Sequence, residues 1–275
     1  MATVGGAGLA LAAAPSSPTP IPPGPVVTAS VSCGGDHSRA LAGGFLAPDF
    51  SIESGRTTVR TKLKRTGRHT WEVGAAALGQ ETGSILPVGY CTKLRGTQIT
   101  AAASATVPAN EIGTATATCP AGSRAVSGGF ESPGFDLTSG HVLPLTSMRV
   151  GDKSWQVTGV NPDFGAGVSP AQLIAYAYCL KGKPPITTVS VDVLVVGEGF
   201  TPADVNCPSG TRALSGGFDG HPVIDQSGFN AAGSVESYRL SGRTGWRTNA
   251  VQAGEQPSTV TTYAYCEPKP PVPPK

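Results

Sequence analysis

Cys119-Pro-Ala-Gly-Ser-Arg-Ala-Val-Ser-Gly-Gly-Phe130 decides how this 275-residue chain is read, because the stretch occurs three times. A second copy runs Cys207-Pro-Ser-Gly-Thr-Arg-Ala-Leu-Ser-Gly-Gly-Phe218. A more diverged one runs Cys33-Gly-Gly-Asp-His-Ser-Arg-Ala-Leu-Ala-Gly-Gly-Phe45. Working outward, each copy is followed by one Trp (Trp71, Trp155, Trp246). Each then closes on a Tyr-Cys pair: Tyr90-Cys91, Tyr178-Cys179 and Tyr265-Cys266. The two cysteines of a copy are 58, 60 and 59 residues apart, and the first cysteines recur after 86 and 88 residues. All 6 Cys and all 3 Trp obey this scheme. The rarest residues do not fall so regularly by chance, and the chain reads as three homologous units. The units span 26–95, 96–183 and 184–267, between a signal-like and Pro-rich start (1–25) and a Pro-rich tail (268–275).

Six cysteines allow fifteen pairings. Each unit owns two in equivalent places, so the expected bridges are Cys33–Cys91, Cys119–Cys179 and Cys207–Cys266. A bridge closing about 60 residues removes about 4 kcal/mol of unfolded-chain entropy in the loop model, which matters for units whose own cores are small. No CxxC or HxxxH spacing supports a metal site, and no cofactor is expected.

The hydrophobic period is two. Val27, Ala29, Val31 and Cys33 alternate with Thr28, Ser30 and Ser32; Gly113, Ala115, Ala117 and Cys119 alternate with Thr114, Thr116 and Thr118. Val189, Val191 and Val193 alternate in the same way with Ser190, Asp192 and Leu194. This is the mark of strands buried on the Cys-bearing face. Two adjacent Gly weaken a strand, so the repeated Gly43-Gly44, Gly128-Gly129 and Gly216-Gly217 call for a bulge or a second backbone passing close by. No segment shows a helical stripe. The expected class is all-β: three disulfide-stapled antiparallel units, β-sandwich-like or arranged around a pseudo-threefold axis as in a β-prism, with flexible Pro-rich ends. The Trp comes too late after the first Cys for an immunoglobulin core. With Gly at 37 and Pro at 25, low charge (14%) and 39% apolar residues still exclude general disorder, and Gly has no collagen period.

The motif series Cys119-Pro120-Ala121-Gly122, Gly128-Gly129-Phe130, Trp155 and Ala175-Tyr176-Ala177-Tyr178-Cys179 resembles secreted tandem-repeat β proteins of high-GC Gram-positive bacteria. Repeat 3 matches as well, and repeat 1 departs at Gly34-Gly35-Asp36-His37. The resemblance implies secretion and surface exposure and carries no catalytic residue.

Compartment follows from two further signs. Intramolecular disulfides need an oxidising environment. Val4 to Ala14 is a short apolar run with a possible signal-peptidase site at Ala12-x-Ala14, although it lacks a basic start. The expectation is a secreted, extracellular protein with no membrane span.

No catalytic constellation emerges, and an enzyme is not expected. Asp36-His37-Ser38 has the types of a hydrolytic triad, but strand neighbours point to opposite faces. The four His share no common position, and acidic residues form no pair. Arg39, Arg124 and Arg212 recur beside the first Cys and read as scaffold in a stack or carboxylate pair. Two sets are candidate ligand contacts. The first is a cationic ribbon in repeat 1, Arg60, Lys62, Lys64, Arg65 and Arg68, alternatively a solvated hairpin balanced by Glu53 and Glu72. It aligns without gaps on Ser237 to Trp246, which puts Arg239 on Lys64 and Arg243 on Arg68. The second is the tyrosine set Tyr176, Tyr178, Tyr263 and Tyr265, which would stack sugar rings if exposed and fill a layer if buried. The net charge of +2 gives no global steering toward nucleic acid, and none is expected as a specific partner. The functional expectation is a non-enzymatic structural or adhesive cell-surface protein, binding a surface polymer or glycan, or itself, multivalently through the variable loops 46–60, 131–147 and 219–236. The alternative is a lectin-like carbohydrate-binding module.

Overall fold

The computed structural model describes residues 17–35, 38–93, 98–136, 141–162, 169–182, 185–197, 199–225 and 228–269. The proposed peptidase site, Asp36-His37 and most of the Pro-rich tail lie outside them. Repeat 1 supplies β1 (Thr19–Ile21), β2 (Val27–Ser32), β3 (Ser38–Leu46), β4 (Thr58–Thr66), β5 (Thr70–Ala77) and β6 (Gly83–Lys93). Repeat 2 supplies β7 (Gln98–Val107), β8 (Glu111–Thr118), β9 (Ser123–Glu131), β10 (Leu143–Val150), β11 (Ser154–Asn161) and β12 (Ala171–Lys181). Repeat 3 supplies β13 (Thr187–Val195), β14 (Thr201–Asn206), β15 (Thr211–Asp219), a short β16 (Val223–Asp225), β17 (Gly228–Arg239), β18 (Gly245–Gly254) and β19 (Ser258–Pro268). The all-β class stands, and every strand pair within the sheets is antiparallel. The period-two faces fall as their polarity demands: Ala115 and Ala117 are buried while Thr114, Thr116 and Thr118 are exposed. β1 lies in the stretch read as a linker. Ile21 is fully buried and β1 pairs with β6, so burial of one large apolar side chain docks a Pro-rich segment as an edge strand.

The three repeats do not fold as separate beads. The first sheet runs β1-β6-β3-β17-β18-β14, the second β13-β19-β15-β10-β11-β8, and the third β2-β5-β4-β9-β12-β7. Half of each sheet comes from one repeat and half from another: repeats 1 and 3, then 3 and 2, then 2 and 1. The exchange closes into a ring. Each disulfide sits within its own repeat and joins two sheets, Cys33–Cys91 the third to the first, Cys119–Cys179 the second to the third, and Cys207–Cys266 the first to the second.

The repeated motif builds the seams of this ring. At each seam only one or two residue pairs are in register: Ser237 with Phe45, Thr146 and Ser147 with Asp219 and Phe218, Lys62 and Leu63 with Glu131 and Phe130. A Cβ on the first Gly of each pair would stand 2.2, 2.1 or 2.2 Å from the ring of its own repeat's Trp, at Gly43, Gly128 and Gly216. A Cβ on the second would stand 2.1, 1.9 or 2.5 Å from a neighbouring repeat's backbone, Ser237 O, Leu63 O or Ser147 O. Of the two expected reasons for the Gly pairs, the close backbone holds; a bulge precedes each pair, at Leu41, Val126 and Leu214, but does not include the glycines. The Tyr before each second Cys closes the seam. Tyr90, Tyr178 and Tyr265 accept the backbone N–H of Arg239, Arg65 and Arg149 at 2.6, 2.6 and 2.7 Å. Their rings lie edge-on to Trp246, Trp71 and Trp155, with centroids 5.5, 5.7 and 5.5 Å apart. Each Trp is thus held between a Gly of its own repeat and a Tyr of another. Phe218 packs edge-on against both Phe45 and Phe130, at 6.4 and 6.5 Å, which brings the three Gly-Gly-Phe ends together on the pseudo-threefold axis.

Candidate functional site

The prism has two unlike ends. One carries the disulfides. The other carries the loops between the Gly-Gly-Phe strands and β4, β10 and β17, which differ most between repeats. At the loop end lies a cavity of about 300 Å³. Its walls include Val59 and Arg60 of repeat 1, Leu143 and Pro144 of repeat 2, and Gly233 and Ser234 of repeat 3. The bulges of β4, β10 and β17 fall at Thr61, Leu145 and Val235, so these six occupy equivalent positions and the cavity lies on the pseudo-threefold axis. Phe50, Ile52 and Leu78 close one side. A second hollow of about 370 Å³ shares Phe50, Ile52 and Val251 with the first and extends to Phe200. Phe50 and Phe200 are 5.3 Å apart, and Phe200 and Leu78 are 46% and 43% exposed at the rim.

Arg60 is the charged residue of this cavity. It is only 5% exposed. Its guanidinium lies 5.2 Å from the Phe45 ring centroid, a cation–π contact at the base of the site. It donates to Val235 O at 2.9 Å and to Thr58 O, while its Nε–H is buried without a partner. Burial lowers its pKa to about 10, against an opposing pull from Glu236, and the side chain stays protonated at neutral pH. The Glu236 carboxylate is engaged by the Ala47 N–H at 3.0 Å and the Asn249 amide at 2.6 Å.

Three of the other ribbon residues, Lys62, Lys64 and Arg65, are part-buried and paired, which corrects the reading of an open patch toward the alternative of a charge-balanced hairpin. Lys62 pairs with Glu72 at 3.0 Å and with Glu131 at 3.6 Å; Lys64 reaches Glu131 at 2.7 Å. Their shared face is real; Glu72, the expected counter-charge, meets it from repeat 1 and Glu131 from repeat 2. Arg65 bonds Thr100 Oγ1 at 2.7 Å and stacks 4.6 Å from the Tyr178 centroid. Arg68 is exposed and borders a small cleft of about 110 Å³ with Arg39, Arg65 and Gln98 at the disulfide end. The hydrogen-bond pattern also moves the alignment by one residue. Arg239 is equivalent to Arg65 and Arg149, not to Lys64, because the 3-10 turn at Ser241–Arg243 adds a residue before Trp246.

The tyrosine set offers no open sugar platform. Tyr178 and Tyr265 are fully buried in the seams. Tyr176 donates to Glu131 at 2.6 Å, and burial and that carboxylate push its pKa up. Tyr263 is half-buried and stacked on Tyr265, at 6.4 Å and 6°. The recurring arginines serve as scaffold where their partners are seen: Arg124 pairs with Asp152, and Arg212 with Glu267 at 2.9 Å. Among the described residues no group of three His, Cys, Asp or Glu is placed to hold a metal. No helix among them is long and apolar enough to cross a membrane. Sequence reasoning had Arg60 within the ribbon and missed its burial, because the equivalence of Arg60 with Pro144 and Ser234 shows only in the strand register.

Compared with protein-family models and with curated proteins, the chain matches none.

Proposed function

We propose that this protein is a secreted, non-catalytic binding protein of the cell surface, acting through one composite site at the loop end. The observation that carries this is the axial cavity, to which the three repeats contribute chemically different residues from equivalent positions. Three disulfides fit an extracellular setting. The closed ring makes three similar units into one body, so the variable loops converge on one site rather than presenting three. Surface-exposed apolar residues beside a cavity mark an interaction region. A glycan platform built on the tyrosines loses its support because Tyr178 and Tyr265 are buried.

The test is retention of the chain on isolated cell-wall and membrane fractions of a high-GC Gram-positive bacterium. Phe200→Ser and Leu78→Asp at the loop-end rim are compared with Arg68→Glu at the disulfide end. The expected result is saturable binding at one site per chain, weakened at least tenfold by the rim substitutions and unchanged by Arg68→Glu. Loss with Arg68→Glu alone, or binding to no fraction, overturns the proposal.

A further inference from the structure

The fold does not require a cation at position 60. Repeats 2 and 3 make the same strand and bulge with Pro144 and Ser234 there. A buried guanidinium without an ion-paired acid is costly to the fold. Among the described residues Arg60 makes no direct ion pair, the Glu236 charge acting on it only from a distance, and its Nε–H is buried and unpartnered. It lines the wall of a cavity whose other surfaces are largely aliphatic or aromatic. At about 300 Å³ the space is at the lower end of small-molecule sites, and its neighbour carries the apolar surface on to Phe200.

We propose that this cavity binds a linear aliphatic monocarboxylate, with the carboxylate on Arg60 and the chain running past Phe50 toward Phe200. This rests on the loop-end reading above and adds the chemistry of the ligand. Val235 O and Thr58 O take one N–H from each Nη of Arg60, and a carboxylate would accept from the N–H groups that remain, in charge-assisted hydrogen bonds of the strong kind. One anionic group is what one buried cation can neutralise, so a polyphosphate or polyanionic glycan fits poorly. A neutral sugar would leave its hydroxyls facing Leu143, Phe229 and Val251 without partners. An alkyl chain asks for no hydrogen-bond partner from those walls.

Decanoate and decanol, titrated calorimetrically into the full chain with its disulfides intact, test the assignment. One site is expected, with decanoate at least tenfold tighter than decanol. Arg60→Met keeps the volume and removes the charge, and it abolishes that preference. Gly233→Leu fills the cavity and abolishes binding of both ligands. A Cβ at Gly233 meets nothing closer than 3.8 Å, so the backbone accepts a side chain there, and circular dichroism of the variant checks its fold. If Arg60→Met does not fold, the decanoate-to-decanol ratio still reports the charge and Gly233→Leu still reports the place. Absence of saturable decanoate binding, equal affinity for the two ligands, or binding that Gly233→Leu leaves intact overturns the proposal. Failure here with envelope retention still lost in the rim variants removes the carboxylate and keeps the loop-end reading. Decanoate binding without any envelope retention does the reverse.

Discussion

Tyr178→Phe isolates what one seam contributes. The ring of Tyr178 stays, and so does its edge-on contact with Trp71, but the acceptor of the Arg65 N–H at 2.6 Å is removed. Tyr178 is fully buried, so water does not replace it. A buried donor left without its acceptor costs about 1–3 kcal/mol. For a chain of this size each kcal/mol lowers the melting midpoint by about 2–4 °C, so a loss of about 2–12 °C is expected. Tyr90→Phe and Tyr265→Phe remove the same bond from Arg239 and Arg149 and should cost the same to within about 0.5 kcal/mol. The measurement is equilibrium urea unfolding without reductant, followed by tryptophan fluorescence and far-ultraviolet circular dichroism. Because every sheet is shared between two repeats, no repeat can leave without opening two seams. All three variants should therefore shift one transition, seen alike by both probes. A plateau between two transitions, or a cost below about 0.5 kcal/mol at all three sites, refutes the interlocked ring as the source of stability.

Ser127 and Ser215 hydroxyls donate across repeats to the bulge carbonyls of Leu41 and Val126, and Ala42 holds the third equivalent position. Ala42→Ser should complete the set toward Leu214 and stabilise the chain by about 0.5–1.5 kcal/mol, read as a rise in urea midpoint. Gly128→Ala puts a Cβ 2.1 Å from the Trp155 ring, and the overpacking should cost about 1–3 kcal/mol or more, while Gly128→Ala combined with Trp155→Phe recovers part of the loss. Burial alone would raise the Glu131 pKa, but hydrogen bonds from Lys64 and Tyr176 and the charges of Lys64 and Lys62 hold it below the ordinary carboxylate value. Its contribution is therefore complete above the unfolded pKa of about 4.3 and is lost as pH falls through the lower folded value. The wild type should lose more stability than Glu131→Gln as acid is added below about pH 4.3.

Much of the fold was legible in the residues: three copies, strands with a Cys-bearing buried face, bridges within copies, and a reason for each Gly pair. The exchange of half-sheets was not. β4 looks equally ready to pair with β3 or with β9, because the residues of the seam are nearly the same in every copy and local pattern carries no label for the partner. Part of the fate of the ribbon was hidden for the same reason, although the Glu72 partner of Lys62 was legible. Lys62 and Lys64 share a face, but Glu131, which meets them, lies in another repeat. The gapless alignment that placed Arg239 on Lys64 failed at a single added turn residue, which only the register of β17 against β18 exposes. The cavity is a property of three strand starts meeting on an axis, so neither its volume nor the burial of Arg60 has a signature along the chain.

The interlock also explains where the copies are free to differ. A residue in a seam is felt by two repeats at once: Gly44 faces the backbone of Ser237, Tyr90 holds the N–H of Arg239, and Trp246 rests on Tyr90. Changes there would have to be matched in the partner repeat, which is why Gly-Gly-Phe, Trp and Tyr-Cys appear in all three. The exceptions lie where one bond can be dropped without a clash. Leu63 stands where Ser147 and Ser237 bond the indoles of Trp155 and Trp246, and Trp71 Nε1 is left buried without a partner. The strand starts past the bulges are under no such coupling. Val59, Leu143 and Gly233 face the same space, as do Arg60, Pro144 and Ser234. A body that must stay threefold in its seams can therefore carry an asymmetric, singly charged site on its axis, and that asymmetry is concentrated at the end where the cavity opens.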